Sequence, residues 1–306
     1  MPDSTPTPIP IQWGAEALWQ QLVPLLPGLS VEVVHSTRST NTALLERARA
    51  VPDTGPGGLD AIVRPSVESG AFGRRRIDLQ PCLLVAEHQT AGRGRQGRAW
   101  HSSPGASLTF SLALPLAVAD WSGLSLAIGV ALAEALDETA PGGQPRIGLK
   151  WPNDLWLLDQ PDTPRKLGGI LIETVTAGSQ RLAIIGIGLN VQRFDPVDAS
   201  TGFAPLHELD TASTTTAPAV LARVALPLVQ ALQLFEREGF AAFAERFAAR
   251  DVLNGRRVTT TLREVPQGVA RGVSAQGELL VETDRGLQPV ASGEVSVRLS
   301  RPAAAG

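Results

Sequence analysis

Residues 92–114 read GRGRQGRAWHSSPGASLTFSLAL. The opening Gly92-Arg-Gly94-Arg-Gln-Gly97 matches G-x-G-x-x-G and follows PCLLVAEHQ (81–89), an apolar run of strand character. A dinucleotide fold needs a helix starting inside the glycines and an acid about 20 residues further on. Here the chain passes through Pro104-Gly105 into Leu108, Phe110, Leu112 and Leu114, which alternate with strand period. A strand stands where the helix must start, so the doubly wound nucleotide fold is rejected.

The same stretch has a chemical reading. Three arginines (Arg93, Arg95, Arg98) and three glycines (Gly92, Gly94, Gly97) fall within residues 92–98, with no acid among them. Glycine lets backbone approach a ligand, and arginine offers a planar fork for carboxylate or phosphate. In a chain of net charge −3, such a loop is suited to closing over a small polyanion. Positive charge elsewhere is almost all arginine, because only Lys150 and Lys166 are lysines. Lysine is a compact point charge that enters places a guanidinium cannot. At least one of the two is therefore expected to carry chemistry.

At 306 residues, 43% of them hydrophobic, the chain can hold one large domain and a small second one. Cys82 lies in an apolar run and is expected in the core. No run of about 18 apolar residues suggests a membrane span. The start, MPDSTPTPIP, lacks the basic and apolar regions of a secretory signal, so a cytoplasmic protein is expected. A pI near 5.9 argues against general nucleic-acid binding.

Along the chain, residues 1–12 read as a tail and 14–26 as a short helix. Residues 31–35 read as a strand, and Ser39-Thr40-Asn41 cap a helix to about residue 50. Residues 51–81 read as a surface insertion and 82–87 as a buried strand. Residues 122–139 are helical in spacing, and four strand-like runs follow at 147–151, 155–158, 167–176 and 181–190. Residues 217–250 supply two helices. From 255 to 300, short β-runs separated by Gly and Pro predict a small barrel-like module.

No P-loop, H-E-x-x-H, G-x-S-x-G or Cys/His cluster is present, and His35, His88, His101 and His207 are scattered. A histidine-held metal is not expected. Five motifs do stand in order: STN (39–41), QTAGRGRQGRAW (89–100), KWPND (150–154), KLGGILIE (166–173) and GIGLN (186–190). With these the chain resembles the biotin protein ligases. GVSAQGELLVE (272–282) and GEVSVR (293–298) are similar to that family's SH3-like module. The resemblance spans about residues 31–300. It implies an α+β fold: a mixed or antiparallel sheet flanked by helices, class II synthetase-like, with a small C-terminal SH3-like β-barrel. The expected divisions are a tail and helix at 1–30, a catalytic biotin/ATP domain at 31–253 and the C-terminal domain at 254–306.

The resemblance implies an ATP-dependent ligase with Mg²⁺. Biotin becomes biotinyl-5′-AMP, and a lysine of a biotin carboxyl carrier protein, part of a biotin-dependent carboxylase, then takes the biotin. Two anions meet in the first step, so fixed cations are the expected catalysts. Lys166, Arg95 and Arg93 are expected in that role. Ser39, Thr40, Asn41, Gln89, Gly92, Gly94, Gly169 and Gly186 are expected around biotin, with the same two arginines and Lys166. Ser39 and Thr40 also suit helix capping. Arg95, Arg98, Trp100, Asn153, Asp154, Lys166 and Asn190 are expected around the nucleotide, with Asp154 toward Mg²⁺. Trp100 reads equally as core. Gly168, Gly169, Gly186 and Gly188 admit backbone to the ligand or mark strand bulges. Lys150 is expected to pair with an acid and hold KWPND in shape.

Too few residues precede the first strand for the operator-binding domain of some family members, so no DNA role is expected. A monomer and a homodimer joined at sheet edges both stay open. Lipoate ligase is the nearest rival, and its pattern lacks the G-R-G-R-x-G-R-x-W loop. A protein that only sequesters the adenylate is the rival from another class.

Overall fold

The computed structural model describes residues 11–49, 80–137, 143–159, 164–177, 180–194, 202–209, 215–293 and 295–299. The expected insertion at 51–81 lies outside these residues apart from its last two.

The order is α1 (Ala15–Leu22), β1 (Ser30–Thr37), α2 (Thr40–Arg49), β2 (Cys82–Gln89), β3 (Gly92–Arg93), β4 (Ala99–Trp100), β5 (Ser107–Pro115) and α3 (Leu124–Leu136). Then come β6 (Ile147–Lys150), β7 (Asp154–Leu157), β8 (Arg165–Ala177), β9 (Gln180–Asn190), α4 (Ala217–Glu238) and α5 (Ala244–Ala248). The last five strands are β10 (Arg257–Thr260), β11 (Gln267–Val273), β12 (Leu279–Thr283), β13 (Gly286–Val290) and β14 (Val297–Leu299).

The main sheet has the order β1-β2-β5-β9-β8-β7-β6. Only β1 and β2 pair in parallel; the other neighbours are antiparallel. The sheet is therefore mixed, as expected. Strand parity divides its two faces. On one face Leu108, Phe110, Leu112, Ile185, Ile187 and Leu189 pack with α3 and α4 in the main core. On the other, Leu84, Ala86, Ala113 and Ile184 pack under Leu44 and Leu45 of α2. Cys82 is fully buried there.

The remainder of that second face is small and polar. Thr109 pairs with Gly188, which pairs with Gly169; Ser111 pairs with Gly186, which pairs with Leu171. Strand β5 is therefore buried on both faces up to its last residue, more than its one apolar stripe suggested. Its polar residues form a floor that α2 covers only in part.

The apolar stretch Ala217–Ala248 is long and apolar enough to cross a membrane by length and composition, contrary to the expectation that no such run exists. In the fold, Val220, Leu221, Val224, Leu228, Leu232 and Phe235 of α4 are buried in the main core, which accounts for its composition.

The C-terminal sheet runs β13-β12-β11-β10-β14, all antiparallel. The short β-runs expected between 255 and 300 form these five strands. The described residues show no pairing of β13 with β14 that would close a barrel. The module sits against KWPND. Trp151, fully buried, donates from Nε1 to the Gly277 carbonyl at 3.0 Å. A Cβ on Gly277 would lie 2.7 Å from Gly123 Cα, and its φ of 80° is left-handed, so only glycine fits this contact.

Candidate active site

The arginine loop folds as a small hairpin. Gly92 faces Trp100 and Arg93 faces Ala99, with a 3-10 turn at Arg95–Gly97 between them. Its tip uses left-handed backbone at Gln96 and Gly97. A Cβ on Gly92 would fall 2.4 Å from the Trp100 carbonyl, so the two strands close only with glycine there.

Ser39, Thr40 and Asn41 are buried at the N-terminus of α2, beside the polar floor. Gln89 Oε1 accepts from Thr40 N at 2.8 Å and from Thr40 Oγ1 at 3.2 Å. Ser111 Oγ lies 2.6 Å from both Thr40 Oγ1 and Asn41 Oδ1. Asn41 Nδ2 donates to the Leu171 carbonyl at 3.2 Å and to Glu173 at 3.0 Å. Gly186 admits this arrangement, since a Cβ there would lie 2.3 Å from Asn41 Oδ1.

Trp100 lies over Gly188, where a Cβ would come 2.4 Å from the indole. Its buried Nε1 has no hydrogen-bond partner. Lys166 Nζ stands 5.9 Å from the Trp100 ring centroid and forms an ion pair with Asp154 Oδ1 at 2.8 Å. Gly169 borders both groups, at 3.4 Å from Asp154 Oδ1 and 3.5 Å from Lys166 Nζ for a built Cβ. Gly168 instead packs against Leu189 and the Gly188 carbonyl, next to a register shift between β7 and β8. Asn153 Nδ2 donates to the Ile170 carbonyl at 2.7 Å, and Asn190 Nδ2 to the Lys166 carbonyl at 3.2 Å. These two amides therefore brace the strands that carry Asp154 and Lys166.

The C-terminal module supplies the other wall. Arg95 Nη2 donates to the carbonyls of Ser292, Gly293 and Val295. Arg98 Nη2 reaches Ser296 Oγ at 2.7 Å, and Lys150 Nζ reaches the Val297 carbonyl at 2.8 Å. The expected acid partner of Lys150 is thus replaced by a carbonyl and by the Trp156 ring, 5.3 Å away. Burial pushes Lys150 below the usual lysine range; Asp154 opposes this, while Lys166, Arg98 and Arg298 add to it. Burial likewise lowers Arg95, with Asp154 opposing and Arg98 adding. Arg95, Lys150 and Lys166 consequently share the field of one carboxylate, Asp154, with Arg98 and Arg298 adding positive charge beside Lys150.

Arg93 does not join them. Its Nη2 pairs with Glu173 at 2.5 Å and its Nη1 donates to Thr42 Oγ1 at 3.1 Å. Beside KWPND lies a small cleft lined by Ser125, Gly129, Lys150, Asn153, Asp154 and Ile170 among others. Arg93, Arg95 and Lys166 are not among its lining residues. Among the described residues no three His, Cys, Asp or Glu side chains gather to hold a metal.

The sequence reading missed Ser111, Glu173 and Arg298. Strand parity was the usable signal for two of them: Glu173 shares a face with Gly169, and Ser111 shares one with Thr109. Arg298 closes the GEVSVR motif, but its nearness to Lys150 depends on how the C-terminal sheet packs.

The biotin/lipoate A/B protein ligase family matches residues 78–190, and the biotin protein ligase C terminal domain matches residues 254–298. The biotin--[acetyl-CoA-carboxylase] ligase of Mycobacterium tuberculosis is 30% identical over 290 residues, covering 92% of this chain and 91% of that protein. The chain belongs to the biotin/lipoate A/B protein ligase family. The first family match contains the arginine loop, KWPND, Lys166 and GIGLN; the second contains Gly277 and the acceptors of Arg95, Arg98 and Lys150. The bifunctional ligase/repressor BirA of Salmonella typhimurium is 38% identical over 220 residues, 70% of this chain. The chain spans 66% of that relative's length. Among solved structures, the biotin protein ligase from Aquifex aeolicus in complex with biotin and ATP is similar. Its TM-score is 0.66 at 27% identity, covering 88% of this chain and 99% of that one.

Proposed function

We propose that this family member is an ATP-dependent biotin–protein ligase. The observation that carries the reading is the cluster of Arg95, Lys150 and Lys166 around Asp154, beside the Trp100 indole. In the first step a biotin carboxylate oxygen attacks the α-phosphorus of ATP. A new P–O bond forms, the bond to the bridging oxygen breaks, and pyrophosphate leaves. In the second, the amine of a carrier-protein lysine attacks the acyl carbon of the mixed anhydride. A C–N bond forms, AMP leaves and the amine loses a proton.

Charge repulsion opposes the first step, and cations held in a partly buried site offset it without reorganising. Lys166 is assigned to the carboxylate and α-phosphate, with Arg95 and Arg98 toward the phosphates. Ser39, Thr40, Asn41 and Gln89 are assigned to the uncharged ureido end of biotin, Trp100 to the base, and Asn153 and Asn190 to the nucleotide side. Asp154 is the carboxylate in the cluster. It would be the carboxylate that holds Mg²⁺, a hard cation suited to oxygen ligands, and the ion would supply further charge neutralisation at the phosphates.

We assign the acceptor to a biotin carboxyl carrier protein, in the cytoplasm. Among the described residues the β6 edge is covered by residues 250–252, through Leu149 N to the Arg250 carbonyl and Val252 N to the Leu149 carbonyl. That leaves β1 as the edge for strand pairing with the carrier or with a second copy of the chain. Exchange of labelled pyrophosphate into ATP tests the reading. Exchange that requires biotin, and that lipoate does not support, is expected. Binding of biotin and ATP without exchange would make the protein a sequestering one.

A further inference from the structure

A polar chain joins Gln89, at the end of β2, to Arg93 in the first strand of the arginine loop. Gln89 Oε1 meets Thr40 Oγ1 at 3.2 Å, and Thr40 Oγ1 meets Ser111 Oγ at 2.6 Å. Ser111 meets Asn41 Oδ1 at 2.6 Å, and Asn41 Nδ2 donates to Glu173 Oε2 at 3.0 Å. Glu173 Oε1 then takes Arg93 Nη2 at 2.5 Å. The links come from α2, β5 and β8, three elements far apart in sequence. Both carboxylate oxygens of Glu173 are engaged, one by the floor and one by the loop.

We propose that Glu173 is a positioning residue that docks the Arg93 end of the loop before any ligand arrives. The Glu173 side chain is 22% exposed and that of Arg93 43%, so the pair is weak enough to open in solvent. Thr42 Oγ1 supplies the second arm of the clamp at 3.1 Å. The anchor lies on the Ser39–Gln89 side of the site, away from the cations around Asp154. The cost of losing it therefore falls on capture of the uncharged end of the substrate rather than on phosphate chemistry. This rests on the assignment of that side to biotin.

The loop carries its own protease reporters, Arg93, Arg95 and Arg98. Limited trypsin digestion of the ligand-free protein reads loop docking with no reference to activity. Glu173→Gln keeps the shape and an acceptor for Asn41 while removing the charge. Cleavage within 93–98 is expected to rise severalfold in Glu173→Gln, and to rise with salt in the wild type but not in the variant. In steady-state assays the KM for biotin is expected to rise about fivefold, with kcat falling less than twofold; a purely structural defect would lower kcat through loss of folded enzyme. Thr42→Val, which leaves Glu173 intact, is expected to raise cleavage by about half as much. Equal loop cleavage in all three proteins at low salt would overturn the proposal, as would a loss confined to kcat. Should the wild type fail to use biotin, the proposed function falls while the cleavage comparison still decides the anchor.

Discussion

Asp251 shows how one side chain sets a cost on the fold. Its Oδ1 accepts from Leu253 N at 2.8 Å, while its Oδ2 is buried with no partner. Burial raises its pKa from the model-peptide 3.8 to about 6, against two backbone hydrogen bonds that lower it. The folded value lies above the unfolded one. Below pH ~4 both states are protonated and the cost vanishes; above pH ~6 both are ionised and the folded state bears it in full. Stability therefore falls as pH rises through that window, by about 3 kcal/mol at most. Asp251→Asn keeps the cap but leaves an amide N–H without a partner, at a cost of about 1–2 kcal/mol. A net gain of about 1–2 kcal/mol is expected at pH 7.5, turning into a net loss of about 1 kcal/mol near pH 4. Thermal melts at the two pH values check it. Nothing in the sequence around Asp251 marks it, because its burial depends on which strand edge the linker covers. The five motifs were legible because each packs unusual residue types into a short span. Ser111 was not, and the role of Glu173 was not although it ends KLGGILIE, because an acid or a serine in a strand is ordinary until the neighbouring strands are in register.

Among the elements, β5, β8 and β9 do most to shape the site. Their existence was legible from period-two patterning, and their ends moved only by residues. Their order was not, since β5 reaches β9 across α3, β6, β7 and β8 in the chain. The order explains the glycines. Of the four expected to admit ligand, Gly186 makes room for Asn41 and Gly188 for Trp100, so both shape the site through a second side chain. In Gly188→Ala the new methyl would overlap the indole, forcing Trp100 off the sheet. A loss of about 1–3 kcal/mol in stability is expected from overpacking. The KM for ATP is expected to rise at least tenfold, with the KM for biotin changed much less. Denaturant melts and steady-state kinetics on the same preparation read both.

At the scale of the whole molecule, the cationic site belongs to two sheets. Arg95 and Arg98 are held by Ser292, Gly293, Val295 and Ser296, nearly 200 residues away in sequence. No local pattern could have announced this, although both partners lie inside motifs that were read. These acceptors are neutral. They fix the guanidiniums without cancelling their charge, which a carboxylate would do. Ser296→Ala removes the Ser296 acceptor of Arg98 and is expected to raise the KM for ATP about three- to fivefold, the scale of one ordinary net hydrogen bond at an exposed site, while the KM for biotin stays unchanged. Kinetics with each substrate varied in turn separate the two. The central claim is that cations fixed around Asp154 let a carboxylate and a triphosphate react. Single-turnover formation of biotinyl adenylate by wild type and by Lys166→Ala, at saturating biotin and ATP, tests it most directly. A rate lower by about 10²–10³-fold in the variant is predicted, the usual effect of removing one such stabilising group. Equal rates in the two proteins would contradict it.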